Sequence, residues 1–129
     1  MRRTTAWRAV PGRLEQLIVI IRDPASAPAE YLRTPVGLFR DMTTHDPDMA
    51  RFLLVEVVEV SAVGSSLVAA CIPAPGAVGG ALVTLRGADG APAHITHGRR
   101  CTSGYDRRLE ALGALGTLSV GNLPPDGAR

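Results

Sequence analysis

Residues 46–60 place the strongest constraint on how this chain can fold. Asp46 is a residue type that caps helices, and Pro47 loses nothing at the first helical position because its missing N–H would have no partner there. Asp48 then meets the positive end of the helix dipole. Five apolar residues follow at the three- and four-residue steps of one helical face: Met49, Phe52, Leu53, Val57 and Val60.

The same stretch also has strand character, because β-branched residues favour an extended backbone. Its valines are Val55, Val57, Val58 and Val60. Since the cap and the helical spacing agree, we interpret residues 46–62 as a helix that ends before Gly64. Apolar residues lie on more than one side of it, which predicts that other parts of the protein cover it on more than one side.

The motif D-P-x-x-A-R-x-L-L-V-E-V-V-x-V-S, which begins at Asp46, carries a resemblance to a known family. Together with residues 27–33 and with Phe39 before the turn, it resembles the ligand-binding region of TetR-family transcriptional regulators. The resemblance covers about residues 27–61. The helix-turn-helix with which that family reads DNA has no counterpart in residues 1–23.

The resemblance implies a mainly α fold, as a partial helical bundle like the regulatory domain of a TetR-type protein. It implies a small apolar ligand held among the helices, and it allows a homodimer. Helical phase provides most of the candidate pocket residues, and a glutamate that could face a cavity completes the set: Phe39, Met49, Phe52, Leu53 and Glu56.

We divide the chain into an uncertain N-terminal segment at residues 1–26, a TetR-like helical segment at 27–64, and an irregular or poorly ordered region at 65–129. Residues 13–22 fit either a short helix or a buried strand, because periodicity cannot settle so short an apolar run. A helix over residues 29–44 is expected to kink or break at Pro35.

Glycine and proline divide the C-terminal region into short segments. Ala88-Asp89-Gly90 is a turn signal, so a β-hairpin of residues 81–86 with residues 94–96 is compatible with the sequence, and Pro92 would confine its return strand to a sheet edge. Residues 103–115 could form one more helix, with Ser103 as its cap. We expect this region to be less stable than the central helix.

Composition argues against several functional classes. The net charge of +2 is too small to indicate nucleic acid, and the chain contains no lysine to meet a phosphate. Two cysteines cannot define a disulfide framework. His94, His97 and Cys101 have the residue types of a zinc site but lack a clear fourth ligand, so we assign no metal. The apolar run at residues 17–21 is too short to span a membrane, and we expect a cytoplasmic protein.

Three functional hypotheses follow. The first is a regulatory ligand-binding fragment that resembles the effector domain of a TetR-type repressor without its DNA-binding part. The second is a truncated or frame-disrupted gene product with no evolved activity, and the third is a small enzyme. We favour the first, with no catalytic residues, no cofactor, no metal and no specific DNA binding by this chain alone.

Overall fold

The computed structural model describes residues 11–25, 38–41, 43–67 and 78–122, with Asp41 described by its backbone alone. These ranges hold six strands and two helices, in the order β1 (Leu14–Arg22), α1 (Leu38–Asp41), α2 (His45–Leu54), β2 (Val57–Ser65), β3 (Gly80–Gly87), β4 (Pro92–Gly98), β5 (Asp106–Gly113) and β6 (Gly116–Gly121). The mainly α helical bundle predicted from the sequence is therefore wrong. The six strands form one sheet that crosses all three of the predicted segments.

The sheet has the strand order β2-β3-β4-β1-β5-β6. β1 pairs in parallel with β4, and every other neighbouring pair is antiparallel. The central position of β1 follows from its sequence, because it is apolar on both faces. Leu17, Val19 and Ile21 are buried on one face, whereas Ile18 and Ile20 are half-buried on the other. The strand alternative for this stretch is the correct one.

The core lies between α2 and the face of the sheet that carries Leu17. Leu17 and Ile95 are fully buried at its centre, and burying a side chain of this size contributes about 1.5–3 kcal/mol. Helix α2 contributes Ala50, Leu53 and Leu54 to this core. Its buried face is therefore rotated away from the predicted one, since the side chains of Met49 and Phe52 are about half exposed.

The predicted helix over residues 46–62 is wrong in its second half. Helix α2 ends at Leu54, where Val55 takes a positive φ of 73° and its N–H donates to the carbonyl of Arg51 at 2.9 Å. β2 begins at Val57, so the β-branched preference for extended backbone prevails over helical spacing. Asp46 is not the cap either. Thr44 occupies the cap position, but its hydroxyl accepts no hydrogen bond from the first turn of α2, and Asp46 is turned into the protein.

The predicted β-hairpin is present as β3 and β4, with a tight turn at residues 88–91. Asp89 Oδ1 accepts a hydrogen bond from the N–H of Ala91 at 3.1 Å, and Gly90 has a φ of 90° that suits glycine. The expectation that Pro92 confines β4 to an edge is wrong. Pro92 is the first residue of the strand, where a missing N–H is tolerated, and β4 lies between β3 and β1.

The described part of the C-terminal region, residues 65–67 and 78–122, is mostly strand, contrary to the irregular half predicted in the fold class. The stretch predicted as a helix from Ser103 contains β5 instead, and a turn at Ala114 and Leu115 joins it to β6. Residues 42 and 26–37, which include the break predicted at Pro35, lie outside the described residues, as do residues 123–129. Among the described residues, no helix has both the length and the apolarity that a bilayer span requires.

Candidate active site

A groove of about 590 Å³ lies beside α2, on the helix-covered face of the sheet. Val19, Leu109 and Val120 are opposite one another on β1, β5 and β6 and line its floor. Its size is within the range of small-molecule sites. Polar side chains reach it from the start of α2 and from the ends of β5 and β6: His45, Asp46, Tyr105, Arg107, Arg108 and Asn122.

His45 is the first residue of α2, and its side chain is exposed to the groove. Thr43 and Thr44 directly precede α2, and the Thr44 hydroxyl donates to the carbonyl of Arg40 at 2.6 Å. The N–H of Thr43 donates to the carbonyl of Leu38 at 3.3 Å. These bonds fix the connection and so hold His45 at the rim of the groove. Histidine is the side chain best suited to exchange a proton near neutral pH.

Asp46 is buried beneath the groove and interacts with a buried histidine. Asp46 Oδ2 lies 2.6 Å from His97 Nε2, and the two side chains are 5% and 0% exposed. His97 Nδ1 lies 3.1 Å from the hydroxyl of Thr43. On the groove side, Asp46 Oδ1 lies 3.7 Å from Arg107 Nη2. A buried carboxylate requires such partners, because an unpaired buried charge is strongly unfavourable.

Asn122 holds the opposite wall of the groove together. Its Oδ1 accepts a hydrogen bond from the N–H of Arg107, and its Nδ2 donates to the carbonyl of Tyr105 at 2.8 Å. The N–H of Asn122 also donates to the carbonyl of Arg107 at 3.1 Å. These bonds fix the start of β5 against the end of β6, so that the Tyr105 hydroxyl and the Arg107 guanidinium, 3.5 Å apart, lie side by side.

A charged cluster borders this wall. Arg108 donates two hydrogen bonds of 2.7 Å to the two carboxylate oxygens of Asp106, and Arg22 donates a third at 3.2 Å. The hydrogen bond with Asp106 raises the pKa of Arg108, and the negative charge of that carboxylate raises it further. The Arg108 guanidinium is therefore charged throughout the neutral range.

The structure separates the predicted pocket residues. Met49 lines the groove, while Leu53 is buried in the core and Phe52 is exposed farther along α2. Phe39 is on α1 with 43% of its side chain exposed, and Glu56 is exposed just before β2. None of these four residues lines the groove.

Sequence reasoning did not single out His45, Tyr105 or Asn122 as site residues. The adjacent His45 and Asp46 at a helix start were a usable signal, because neighbouring residues at that position point in different directions. The zinc candidates do not converge: alternation along β4 places His94 and His97 on opposite faces of the sheet.

Comparison with known proteins identifies the family. Residues 10–119 match the family model described as the GFO/IDH/MocA C-terminal domain. The chain belongs to the GFO/IDH/MocA C-terminal domain family. The first prediction, a TetR regulator, is therefore wrong, and in this chain the D-P-x-x-A-R motif that suggested it lies within α2.

Several relatives of this GFO/IDH/MocA domain are named as inositol dehydrogenases. The chain is 41% identical over 115 residues to inositol 2-dehydrogenase of Rhizobium meliloti, covering 88% of this chain and 35% of the relative. It is 43% identical over 113 residues to myo-inositol 2-dehydrogenase of Thermotoga maritima, covering 87% and 34%. The crystal structure of a Corynebacterium glutamicum myo-inositol dehydrogenase matches with a TM-score of 0.79 and 44% identity, over 93% of this chain and 36% of that one.

The chain thus spans about a third of the length of the relatives it matches. These relatives contradict the predictions of a transcription regulator and of a protein without enzymatic function. Of the three hypotheses drawn from the sequence, the enzyme hypothesis fits them best.

Proposed function

We propose that this chain provides the substrate-binding and proton-accepting part of a dehydrogenase that oxidises inositol or a related cyclic polyol. One observation carries the proposal: an exposed histidine, His45, shares a groove with the hydroxyl of Tyr105 and the guanidinium of Arg107. The names of the Rhizobium meliloti and Thermotoga maritima relatives support the substrate class. The ligand proposed here is therefore a polyol and not the apolar ligand expected from the sequence. The homodimer stays a prediction.

The chemistry assigns a role to each side of the groove. Oxidation of a secondary alcohol to a ketone removes a hydride from the carbon and a proton from the hydroxyl oxygen. His45 is placed to accept that proton, and a positioned general base contributes about 10²- to 10⁴-fold to the rate. Tyr105 and Arg107, on the opposite wall, are placed to donate hydrogen bonds to the other hydroxyls of the ring and so to orient it.

The hydride acceptor does not fit on the described residues. A nicotinamide dinucleotide is held where a glycine-rich turn leads from a strand directly into a helix. Within the described ranges, α2 follows two threonines, and the turns that contain Gly90 and Gly104 connect strands. We therefore assign the nucleotide to protein outside these residues and derive no step through it.

The proposal is tested by replacing the matching C-terminal part of the Thermotoga maritima enzyme with this chain. Reduction of NAD⁺ or NADP⁺ is followed with myo-inositol and scyllo-inositol as substrates. We expect activity with at least one of them. In the same chimera, His45→Asn removes the titratable group with little change in volume, and we expect kcat to fall by about 10²-fold or more.

His94→Asn is the matched control, because His94 lies on the opposite face of the sheet from the groove-side core. It should leave kcat and KM within about threefold of the parent chimera, since it removes no group that contacts the substrate. Equal losses in the two variants would contradict the role of His45. A folded chimera with no activity on either isomer would contradict the proposed substrate class.

A further inference from the structure

The most deeply buried polar group on the groove side is His97, for which the proposed function has no use. Its side chain is fully buried near the end of β4, beneath the first turn of α2. Both ring nitrogens have partners, with Nδ1 at 3.1 Å from the Thr43 hydroxyl and Nε2 at 2.6 Å from Asp46 Oδ2. The His97 ring therefore links Thr43 to Asp46, and these two residues lie on either side of His45 in the sequence.

The partners determine which nitrogen of His97 carries a proton. The cationic Arg107 lies 3.7 Å from Asp46 Oδ1, within ion-pair distance of the carboxylate. An ionised carboxylate can only accept hydrogen bonds, so Nε2 of His97 must donate to it. This assignment holds whether the ring carries one proton or two. Hydrogen bonds to an ionised partner are about twice as strong as neutral ones, and they hold geometry correspondingly well.

The hydrogen bond from His97 fixes the Asp46 carboxylate, and Asp46 is connected to both sides of the groove. Asp46 is adjacent to His45 in the first turn of α2, so a fixed Asp46 fixes the backbone from which His45 projects. Its second oxygen faces Arg107 on the opposite wall. The side chains Met49 and Tyr105 beside these groups are partly exposed, so packing alone restrains this end of the groove less than the core.

We propose that His97 is a positioning residue, whose Nε2–H holds Asp46 and through it sets the placement of His45 and Arg107 in the groove. The consequence for catalysis rests on the proposed function of His45, whereas the hydrogen bond itself does not. A displacement of about 1 Å at a reacting group can cost about 10²-fold in rate. Loss of the donor should therefore lower kcat more than it raises KM.

The first experiment measures the proton directly on the full chain. Long-range ¹H–¹⁵N correlation spectra of the imidazole rings distinguish the tautomers, and the chain has three histidines to assign. We expect a protonated Nε2 in His97. An unprotonated Nε2 would mean that Asp46 carries the proton, and it would overturn the proposal regardless of any activity measurement.

The second experiment compares two replacements of similar size. His97→Gln keeps an N–H donor at about the position of Nε2, whereas His97→Leu keeps volume without a donor. In the inositol dehydrogenase chimera, we expect His97→Gln to retain kcat within about fivefold and His97→Leu to lose about 10²-fold. His94→Leu, on the same strand, is the control and should retain the parent kcat. Equal kcat for folded His97→Gln and His97→Leu would overturn the proposal.

Two measurements keep the result decisive if the chimera is inactive or if His97→Leu does not fold. In the chain alone, the imidazole signals of His45 and the guanidinium signals of Arg107 should keep their positions in His97→Gln. They should shift in His97→Leu, or in Asp46→Ala, which removes the same bond from the other side. Unchanged His45 signals in every folded variant would refute the positioning role. An inactive parent chimera would count against the proposed function only.

Discussion

Gly113 is the position where the structure predicts the sharpest effect of adding a single methyl group. It ends β5, where it pairs with Leu14 of β1 and Gly116 of β6. A Cβ on Gly113 would collide with the carbonyl of Pro11, coming within 2.7 Å of its carbon. Pro11 is itself fully buried. Because the obstacle is buried backbone, it cannot rotate away as a flexible side chain could.

The cost of Gly113→Ala can be worked from the contacts that must move. Carbon atoms in ordinary contact are about 3.5–4.0 Å apart, so the Pro11 carbonyl must withdraw by about 1 Å. That strains the hydrogen bond from the N–H of Leu115 to the Pro11 carbonyl, at 2.9 Å, which is worth about 1 kcal/mol. Overpacking adds about 1–3 kcal/mol to the destabilisation. Alanine also reduces the conformational freedom of the unfolded chain, which offsets about 0.5 kcal/mol of that loss. We expect a net loss of about 2–3 kcal/mol.

Urea denaturation and thermal melting followed by circular dichroism measure this loss. At this chain length, a loss of 2–3 kcal/mol corresponds to a melting temperature lower by about 10 °C. Gly80→Ala is the matched control, because a Cβ there meets the His97 carbonyl at an ordinary 3.5 Å. That variant should be unchanged or slightly more stable. If Gly113→Ala melts at or above the temperature of the parent, Pro11 does not pack over β5 as described and the reasoning fails.

Two further stability predictions follow from named residues. Val55→Gly should raise the free energy of unfolding by about 1 kcal/mol, because a β-branched residue at a φ of 73° is strained and its exposed side chain contributes little packing. If urea denaturation gives the variant a lower free energy of unfolding than the parent, Val55 is not strained. Asp106→Asn should lower the free energy of unfolding by about 1 kcal/mol by removing the bidentate pair with Arg108, and the difference should shrink in 1 M salt. Glu15→Gln, which breaks the exposed pair with Arg13, is the control and should have almost no effect.

The sequence could predict the elements whose signals are local. The turn at Asp89 and Gly90, with alternating residues before it, predicts the β3–β4 hairpin, and the structure contains it. The apolar run of β1 fitted either a helix or a strand, because a strand that is buried on both faces does not show alternating apolar and polar residues. Its place in the sheet depends on β4 and β5, whose sequences lie far along the chain.

The α2–β2 region shows why the helix predicted over residues 46–62 is wrong in its second half. A cap signal and helical spacing agreed from Asp46 onward, yet the valines from Val55 favoured a strand. The hydrogen bonds between β2 and β3 favour the strand over the helix, and β3 lies outside the stretch from which the helix was predicted. Asp46 had a plausible local role as a cap. Its actual partner, His97, is 51 positions away in the sequence, so no local pattern could reveal it.

The parallel pairing of β1 with β4 also has a consequence for how the chain folds. β1 is the first described strand, but both of its neighbours in the sheet come after residue 91. On the ribosome, its apolar run must therefore wait until the residues of β4 and β5 have been synthesised before it can pair. Folding dominated by such distant contacts is slow, and unpaired apolar strands are prone to aggregate in the meantime. We expect the refolding yield at high protein concentration to depend on whether the apolar side chains of residues 14–22 are kept from contact with other chains until β4 and β5 pair with β1.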